Sequence, residues 1–413
     1  MPTIPLANSG ASDTGSKALR TVALCLLVTI FEGIDLQAAG VAAPKIAPLF
    51  GMGPSELGWF FSASTFGLIL GAAFGGALAD LYGRKIVLIC AVVVFGLFSI
   101  GTAHAANVEV LFGMRFLTGV GLGGALPNLI ALVAENVPAN RRNLAVSLMY
   151  CGMPLGGALA SLSTLLGAEG GDWRMVFYIG GFAPLVAAPL LAFFLPESWQ
   201  FKTLAAESGP PREGFAKALL GERRAANTLL LWLSFAFTLL VLYLLLNWLP
   251  SLLVARGLSK PEASIVQIVF NLAGAAGAVA AGALMDGRWR RPSVLLSYAG
   301  VAGCLALLAA TPSTLGLSAA VGALLGWAVM ATQAILYSAA PSCYPTRIRG
   351  MGVGAAVAAG RMGSAAGPLV AAVLIGAGRS PAEVLTGLLP VVIIGGSAAL
   401  LLVWRVGAPS DEA

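Results

Sequence analysis

Four ionisable side chains stand inside long apolar segments of the sequence, where a charge is costly. They are Glu32, Asp35, Arg115 and Arg361. A charged residue at the centre of a membrane-spanning helix costs on the order of 3 kcal/mol on insertion scales, so such a residue usually faces a cavity or a partner. The formal charges of the two acids and two arginines cancel, as a buried and mutually compensated set requires. These side chains could therefore bind a proton and an anion within a bilayer.

Glu32 and Asp35 are three residues apart, which places both carboxylates on one face of a helix. Two carboxylates in a low-dielectric cavity do not easily both remain charged, so one of them can exchange a proton. This spacing predicts a proton-coupling role for the two acids. The alternative is that both are permanently paired with arginines and only hold helices together.

The two arginines differ in position along their predicted helices. Arg115 lies about a turn and a half from the outer end of the fourth helix, at a depth compatible with the two acids. We interpret it as their counter-charge, with structural locking as the alternative. Arg361 lies near the midpoint of the eleventh helix, where Gly360 and Gly363 leave room around it. A forked guanidinium suits a carboxylate, so Arg361 is predicted to bind the substrate anion, with a structural pair to the first helix as the alternative.

Uncharged polar residues in or near the apolar segments are weaker candidates, because many such side chains simply bond across helices. Some of them should line a binding cavity. The predicted substrate-contacting set comprises Gln37, Asn128, Tyr150, Asn247, Asn271, Gln333 and Tyr337, with Gln267 as a further candidate.

The composition excludes a soluble domain. Hydrophobic residues make up 58% of the chain and charged residues only 10%, whereas globular proteins carry about 25% charged residues. Runs of roughly 20 apolar residues are long enough to span a bilayer as helices. The sequence therefore predicts an all-α integral membrane protein. The twelve predicted spans are about 19–43, 57–79, 86–104, 109–134, 143–167, 175–195, 227–250, 262–285, 292–311, 314–340, 350–376 and 383–404.

An internal repeat divides these helices into two halves of six. The loop Gly76–Lys85 has a second copy at Gly282–Arg291, in which Asp80 and Asp286 are 206 positions apart. A second loop repeats at an offset of 207. Two matches at one spacing indicate a duplicated module, a common transporter architecture. The expected divisions are a tail at 1–18, a first half at 19–196, a central loop at 197–226, a second half at 227–404 and a tail at 405–413.

The distribution of positive charge predicts the orientation. With both termini inside, 17 of the 24 Lys and Arg residues fall in inner loops and tails, and 5 fall in outer loops. This bias favours cytoplasmic termini. The net charge of +6 is then mainly topogenic and does not indicate nucleic-acid binding. The first apolar segment is too long for the core of a cleaved signal peptide, so it is expected to remain as a span.

The sequence offers little for metal or enzyme chemistry. The five cysteines lack metal-site or CxxC spacing, and His104 is the single histidine. HExxH and GxSxG motifs are absent from the sequence. We expect no metal, no cofactor and no enzymatic activity.

Several loops resemble the cytoplasmic motifs of the major facilitator superfamily. They are Gly76–Lys85, Glu135-x-x-Pro138-x-x-x-Arg142, Pro196-Glu197-Ser198 and Tyr344-Pro-Thr-x-x-Arg349-Gly350. The second half departs from the pattern, with Trp289 in place of the loop glycine and Ser342 in place of an acid. The resemblance implies an alternating-access transporter, in which Asp80 and Arg84 latch one side. The residues expected to govern the conformational switch are Gly76, Asp80, Gly83, Arg84, Asp286 and Arg290.

Within that superfamily, Glu32-Gly33-Ile34-Asp35 resembles the acid-Gly-x-acid motif of the aromatic acid:proton symporters, with Glu in place of the usual first Asp. Segments such as Asn247-Trp-Leu-Pro250 look similar to the members that carry 3-(3-hydroxyphenyl)propionate. The resemblance implies a monomeric importer of a phenylpropionate or hydroxybenzoate in a bacterial inner membrane, with protons as the coupling ion. The alternatives are a carrier for another organic acid, a drug/proton exporter, or a receptor that binds an aromatic acid without moving it.

Overall fold

The computed structural model of the protein describes residues 9–138, 142–166, 172–197, 219, 221, 224–284, 290–345 and 348–406. Within these ranges all regular secondary structure is helical, and twelve helical spans are long and apolar enough to cross a membrane. The predicted fold class is therefore confirmed.

The described residues form fourteen α-helices and one short 3₁₀-helix at Ala340–Cys343. The helices are α1 Ser9–Phe50, α2 Pro54–Tyr82, α3 Arg84–Ala103, α4 Val108–Asn136, α5 Arg142–Tyr150, α6 Gly152–Leu166, α7 Arg174–Phe194, α8 Ala225–Ala255, α9 Lys260–Leu284, α10 Arg290–Ala310, α11 Leu315–Ala339, α12 Arg349–Gly376, α13 Pro381–Gly387 and α14 Leu389–Val406. Two spans are each built from two α-helices, namely α5 with α6 and α13 with α14.

Prolines account for both of these interrupted spans. A proline within a helix removes one hydrogen bond, and its ring clashes with the carbonyl four residues earlier. For Pro154 that carbonyl belongs to Tyr150, and the fifth span breaks next to it at Cys151. For Pro390 it belongs to Thr386, and the twelfth span breaks just after it, at Leu388. The predicted continuous helix at 383–404 is corrected accordingly, whereas the sequence already indicates a kink at Pro154 within 143–167.

The first helix is longer than the sequence predicted at both ends. It begins at Ser9 rather than 19, and it passes through Pro44 and Pro48 to end at Phe50 rather than 43. Gly51 ends it with a φ of +62°, a conformation that favours glycine. Prolines are tolerated in membrane helices where neighbouring helices satisfy or shield the freed carbonyls. The predicted end of the first span at about 43 is corrected to Phe50.

The two halves repeat one pattern of helix packing, which supports the duplication. In the first half, α1 packs on α6, α2 on α4 and α3 on α7. In the second half, the corresponding pairs are α8 with α12, α9 with α11 and α10 with α14. Small residues allow these close approaches: a Cβ placed on Gly156 of α6 would overlap the carbonyl oxygen of Ile30 in α1.

Contacts between the halves are concentrated on one side of the bundle. We call the side where α1 begins and α14 ends the terminal face, and the other side the opposite face. Toward the opposite face, Thr164 Oγ1 and Ser264 Oγ lie 2.9 Å apart. The ring centroids of Phe61 and Trp248 lie 5.1 Å apart there, and Ser62 Oγ donates to the Ala365 carbonyl at 2.8 Å. These contacts hold the halves together at the opposite face.

Candidate functional site

The four ionisable side chains lie within the bundle and not toward lipid. Glu32 and Asp35 have no exposed surface, while Arg115 is 1% and Arg361 6% exposed. They do not form one connected cluster. Asp35 and Arg115 pair inside the first half, and Glu32 and Arg361 occupy the region between the halves, as the following contacts show.

Asp35 is fully engaged by its neighbours in the first half. Arg115 Nη1 donates to Asp35 Oδ2 at 2.8 Å, and Arg115 Nη2 donates to the Asp35 backbone carbonyl at 3.1 Å. Ser99 Oγ donates to Asp35 Oδ1 at 2.7 Å. The guanidinium of Arg115 also lies 5.7 Å from the ring centroid of Phe177. This arrangement fixes an ionised Asp35 between α1, α3, α4 and α7.

Glu32 has a different environment, although it is only three residues from Asp35. Both of its carboxylate oxygens are buried, and neither has a hydrogen-bond partner in the described part of the chain. Arg115 therefore pairs with Asp35 and not with Glu32. Glu32 interacts electrostatically with Arg361, but the two do not form an ion pair. The sequence analysis left open that both acids are paired with arginines, and the structure shows such a pair for Asp35 but not for Glu32.

Helix contacts relate the depths of Glu32 and Arg361. Gly40 of α1 abuts the backbone of Asn247 in α8, and both helices start at the terminal face. Eight residues earlier on each helix, Glu32 is therefore level with Leu239. The Leu239 side chain reaches Gly360, but the backbone of Arg361 lies more than one helical turn nearer the terminal face than Leu239, because Gly363 abuts the backbone of Ala236. The long Arg361 side chain covers this difference and extends to Tyr243 of α8.

Arg361 is oriented by a tyrosine that the sequence analysis did not single out. Arg361 Nη1 donates to Tyr243 Oη at 2.6 Å, and the guanidinium carbon lies 6.0 Å from the Tyr243 ring centroid. Within the described residues this is the one hydrogen bond of the Arg361 side chain. Tyr243 precedes Asn247 by one helical turn in an otherwise apolar run, so the 3.6-residue period could have indicated it.

Two further tyrosines lie beside this arginine, one from each half. Tyr150 of α5 and Tyr337 of α11 have ring centroids 5.8 Å apart, and Phe235 lies 5.2 Å from Tyr337 in an edge-to-face arrangement. Tyr150, Tyr337 and nearby Gln333 are only half-buried. The region between the halves is thus more accessible here, toward the terminal face.

An amide cluster lies further toward the opposite face. Gln37 Nε2 donates to Asn271 Oδ1 at 2.9 Å, and Asn271 Nδ2 donates back to Gln37 Oε1 at 2.8 Å. Gln267 Nε2 donates to the same Gln37 oxygen at 3.0 Å. All three side chains are buried and join α1 to α9. Gln37 and Asn271 therefore bind each other across the halves.

Asn128 and Asn247 bond within their own helices. Their amides donate to the carbonyls four residues earlier, those of Gly124 and Tyr243, each at 2.8 Å. Asn247 still lies at the contact between α1 and α8, whereas Asn128 is buried in the first half.

The structure describes some of the predicted switch residues, and these lie at the terminal face. Gly83 has a φ of +96° between α2 and α3. Arg84 forms an ion pair with Glu135 of α4, and the Lys85 backbone N–H donates to Glu197 Oε1 at 3.0 Å. A Cβ at Gly76 would meet open space. The side chains of Asp80 and Arg290, and the whole of Asp286, lie outside the described residues, so the Asp80–Arg84 latch stays a prediction.

The structure is a bundle of twelve spans in two similar halves, with buried charges within the first half and between the halves. This is the architecture of secondary membrane transporters. The chain matches the family described as the Major Facilitator Superfamily over residues 25–368 and 231–413. The protein belongs to the major facilitator superfamily. Its relatives in this family are transporters, which confirms the expectation that it is not an enzyme.

Sequence similarity to known transporters extends over nearly the whole chain. It is 44% identical to the 3-(3-hydroxy-phenyl)propionate transporter of Escherichia coli (strain K12), over 95% of this chain and 96% of that one. It is 34% identical to the 4-hydroxybenzoate transporter PcaK of Pseudomonas aeruginosa, over 92% of each chain. It is also 34% identical to the gallate transporter of Pseudomonas putida, over 86% of this chain and 85% of that one.

Solved structures share the fold at low identity. A D-xylose-proton symporter superposes with a TM-score of 0.76 at 19% identity, over 93% of this chain and 97% of that one. A bacterial homologue of the human lysosomal transporter Spinster gives a TM-score of 0.69 at 17% identity, over 94% and 96% of the two chains. These likenesses concern the fold alone.

Proposed function

We propose that the protein imports an aromatic carboxylate together with a proton across a bacterial inner membrane. The substrate class is a hydroxylated phenylpropionate or hydroxybenzoate, as in the names of its relatives. The protein acts as a monomer whose two halves rock around the region of Glu32 and Arg361. Both termini lie in the cytoplasm, so the terminal face is the cytoplasmic one.

The observation that carries the proton coupling is the environment of Glu32. Its two oxygens are buried without a hydrogen-bond donor among the described residues. An ionised carboxylate in such a place loses several kcal/mol of hydration free energy and has no hydrogen bond to offset that loss, and Arg361 acts on it without forming an ion pair. Glu32 therefore holds a proton in this conformation. When the halves move and water or a cation reaches it, the proton can leave.

Asp35 then has a supporting role, whereas the sequence assigned a proton-coupling role to the two acids together. Its charge is balanced by Arg115 at 2.8 Å and its second oxygen accepts from Ser99. Protonation of Asp35 would leave the buried Arg115 charge uncompensated, which is costly. We therefore assign the coupling proton to Glu32, and we assign to Asp35 the task of holding α1 in place.

Arg361 is the group that binds the substrate carboxylate. Its guanidinium uses one N–H for Tyr243, so its remaining N–H groups can form a bidentate pair with a carboxylate. Tyr150, Tyr337 and Phe235 offer aromatic surface for the substrate ring close by. One anion and one proton together add no net charge to the site. Their joint movement therefore avoids the electrical work of moving a charge across the membrane potential, which is about 2.3 kcal/mol per charge per 100 mV.

The distribution of contacts supports alternating access. The halves touch through polar and aromatic pairs toward the opposite face, whereas Tyr150, Gln333 and Tyr337 are half-buried toward the terminal face. With cytoplasmic termini, this is a state closed to the outside. The first six spans and the last six then move as units about the site.

Uptake into proteoliposomes tests the proposal. Purified protein is reconstituted, and accumulation of labelled 3-(3-hydroxyphenyl)propionate, 4-hydroxybenzoate and a non-aromatic acid is followed with and without an inwardly directed proton gradient. We expect uphill accumulation of an aromatic acid that requires the gradient. Accumulation of only the non-aromatic acid would indicate a carrier for another organic acid. Efflux driven by the gradient would indicate an exporter. Binding without counterflow would indicate a receptor.

A further inference from the structure

Three side-chain amides meet between the halves, and one of their oxygens is left without a donor. Gln37 Oε1 accepts from both Gln267 and Asn271, and Asn271 Oδ1 accepts from Gln37. Gln267 Oε1 is buried and has no hydrogen-bond partner among the residues described. The Gln267 side chain as a whole has no exposed surface.

The orientation of the Gln267 amide follows from its neighbours. Reversing the amide would bring Oε1 against Gln37 Oε1, and two acceptors would then face each other without a proton between them. The Gln267 Nε2 donor therefore belongs next to Gln37, where it lies at 3.0 Å. The network therefore leaves Gln267 Oε1 without a donor. A buried acceptor without a donor is energetically costly, so a ligand that donates a hydrogen bond to it is favoured.

The depth of this acceptor relates to the carboxylate site. The Arg361 guanidinium binds Tyr243 Oη, and the Tyr243 backbone is level with Leu36, because Asn247, one turn later on α8, abuts Gly40. The Tyr243 side chain leans toward the start of α8, so the guanidinium lies nearer the terminal face than Leu36, by up to the roughly 6 Å length of a tyrosine side chain. Gln37 follows Leu36 and lies about 1.5 Å further toward the opposite face. A ring hydroxyl in a hydroxyphenylpropionate or hydroxybenzoate lies roughly 6 to 7 Å from the carboxylate carbon, for bonds of about 1.5 Å. A substrate that binds Arg361 through its carboxylate therefore has its hydroxyl within reach of the depth of the amide cluster.

We infer that Gln267 selects for a hydroxyl group on the aromatic ring of the substrate, through Gln267 Oε1 as its hydrogen-bond acceptor. This inference rests on the proposed function, because it assumes that the carboxylate binds at Arg361. The phenolic O–H supplies the donor that the amide cluster lacks. An unsubstituted ring leaves the acceptor buried and unpaired, so the site discriminates against it.

Substrate analogues test the inference without altering the protein. Apparent affinities are measured in proteoliposomes for 3-(3-hydroxyphenyl)propionate, its methyl ether and 3-phenylpropionate. We expect the hydroxylated acid to bind tighter than both others by about tenfold or more, since the ether oxygen cannot donate. Equal affinities for the hydroxyl and methyl ether compounds would overturn the inference. Uptake of none of the three would instead contradict the proposed function.

Variants on α9 provide the second arm of the experiment. Gln267→Met keeps the side-chain length and removes the amide, and the affinity ratio between the hydroxylated and unsubstituted acids should fall to within about twofold. Ser264→Ala is the matched control, because Ser264 lies one turn away on α9 and also reaches across the halves, to Thr164. It should keep the wild-type ratio. A wild-type ratio in Gln267→Met would overturn the inference, and the analogue series decides it if that variant does not fold.

Discussion

Arg115 Nη1 and Asp35 Oδ2 lie 2.8 Å apart with both side chains closed to solvent, while Glu32 on the same face of α1 has no such partner. A pair of acids three residues apart thus divides into one that is fixed in the first half and one that faces the second half. The site is therefore asymmetric: structural charge pairing and proton exchange belong to different residues.

This division predicts that the two acids differ in their effect on stability. Asp35→Asn leaves the Arg115 charge buried and uncompensated, and removing one partner of a buried pair typically costs 3 to 5 kcal/mol. Glu32→Gln removes no ion pair. In a thermal unfolding assay on purified protein, we expect a lower midpoint for Asp35→Asn and a midpoint near that of the wild type for Glu32→Gln.

A second substitution checks the cause of that loss. Asp35→Asn combined with Arg115→Gln removes both charges. The thermal unfolding midpoint of this double variant should lie between those of Asp35→Asn and the wild type. Equal destabilisation by Asp35→Asn and Glu32→Gln, or no recovery in the double variant, would contradict the assigned pairing.

The hydrogen bond from Arg361 to Tyr243 predicts a positioning role for the tyrosine. Tyr243→Phe removes the acceptor at 2.6 Å and lets the guanidinium adopt other rotamers. Hydrogen bonds to charged groups contribute about 1.5 to 3 kcal/mol, so the half-saturating concentration of the aromatic acid should rise roughly tenfold. Arg361→Lys, which loses the fork, should weaken uptake further.

Tyr298→Phe is the control for that series. Tyr298 is also a buried tyrosine of the second half, and it shares a 2.6 Å hydrogen bond with Thr238 away from Arg361. It should leave the half-saturating concentration unchanged. If Tyr243→Phe and Tyr298→Phe behave alike, Tyr243 does not position the arginine.

Two glycine substitutions test how closely α1 and α6 pack. A Cβ at Gly156 would overlap the Ile30 carbonyl oxygen, whereas a Cβ at Gly303 of α10 would meet open space. Overpacking of this kind costs about 1 to 3 kcal/mol, while alanine in a helix is favoured over glycine by about 1 kcal/mol. Gly156→Ala should therefore lower the thermal midpoint and Gly303→Ala should not. The reverse order would show that these helices are not in contact.

The contact between Thr164 and Ser264 predicts a crosslink that stops transport. Their side-chain oxygens lie 2.9 Å apart across the two halves, so cysteines at both positions are close enough for a disulfide. In a background without the five native cysteines, oxidation of T164C/S264C should abolish uptake, and a reductant should restore it. Each single cysteine variant serves as the control. Unimpaired uptake by the crosslinked protein would exclude a separation of the halves at this point.

The sequence was sufficient for the twelve spans and the twofold organisation, because both follow from long apolar runs and from the repeat of Gly76–Lys85 at Gly282–Arg291. Its errors lie where a local signal depends on tertiary context. The first span was predicted to end at about 43, yet α1 continues through Pro44 and Pro48 to Phe50. Pro390 interrupts a span that its apolar run alone describes as continuous, whereas Pro154 indicated a kink in the fifth span, where the helix is interrupted.

The site was predictable in its residue types but not in its pairings. Buried charge in a membrane helix indicates a functional or paired residue, and this led to Glu32, Asp35, Arg115 and Arg361. The pairing of Arg115 with Asp35 alone depends on how α1 turns toward α4, which helical spacing does not define. Tyr243 was missed because a single tyrosine in an apolar run is as often a residue of the packed core as a residue of a functional site.

The most direct test of the account is the transport behaviour of Glu32→Gln in proteoliposomes. Glutamine matches the size of a protonated glutamate but cannot release a proton. We expect this variant to exchange aromatic acid in a counterflow assay at a rate near that of the wild type, and to lose accumulation driven by a proton gradient. Uphill accumulation by Glu32→Gln equal to that of the wild type would contradict the claim that Glu32 carries the coupled proton.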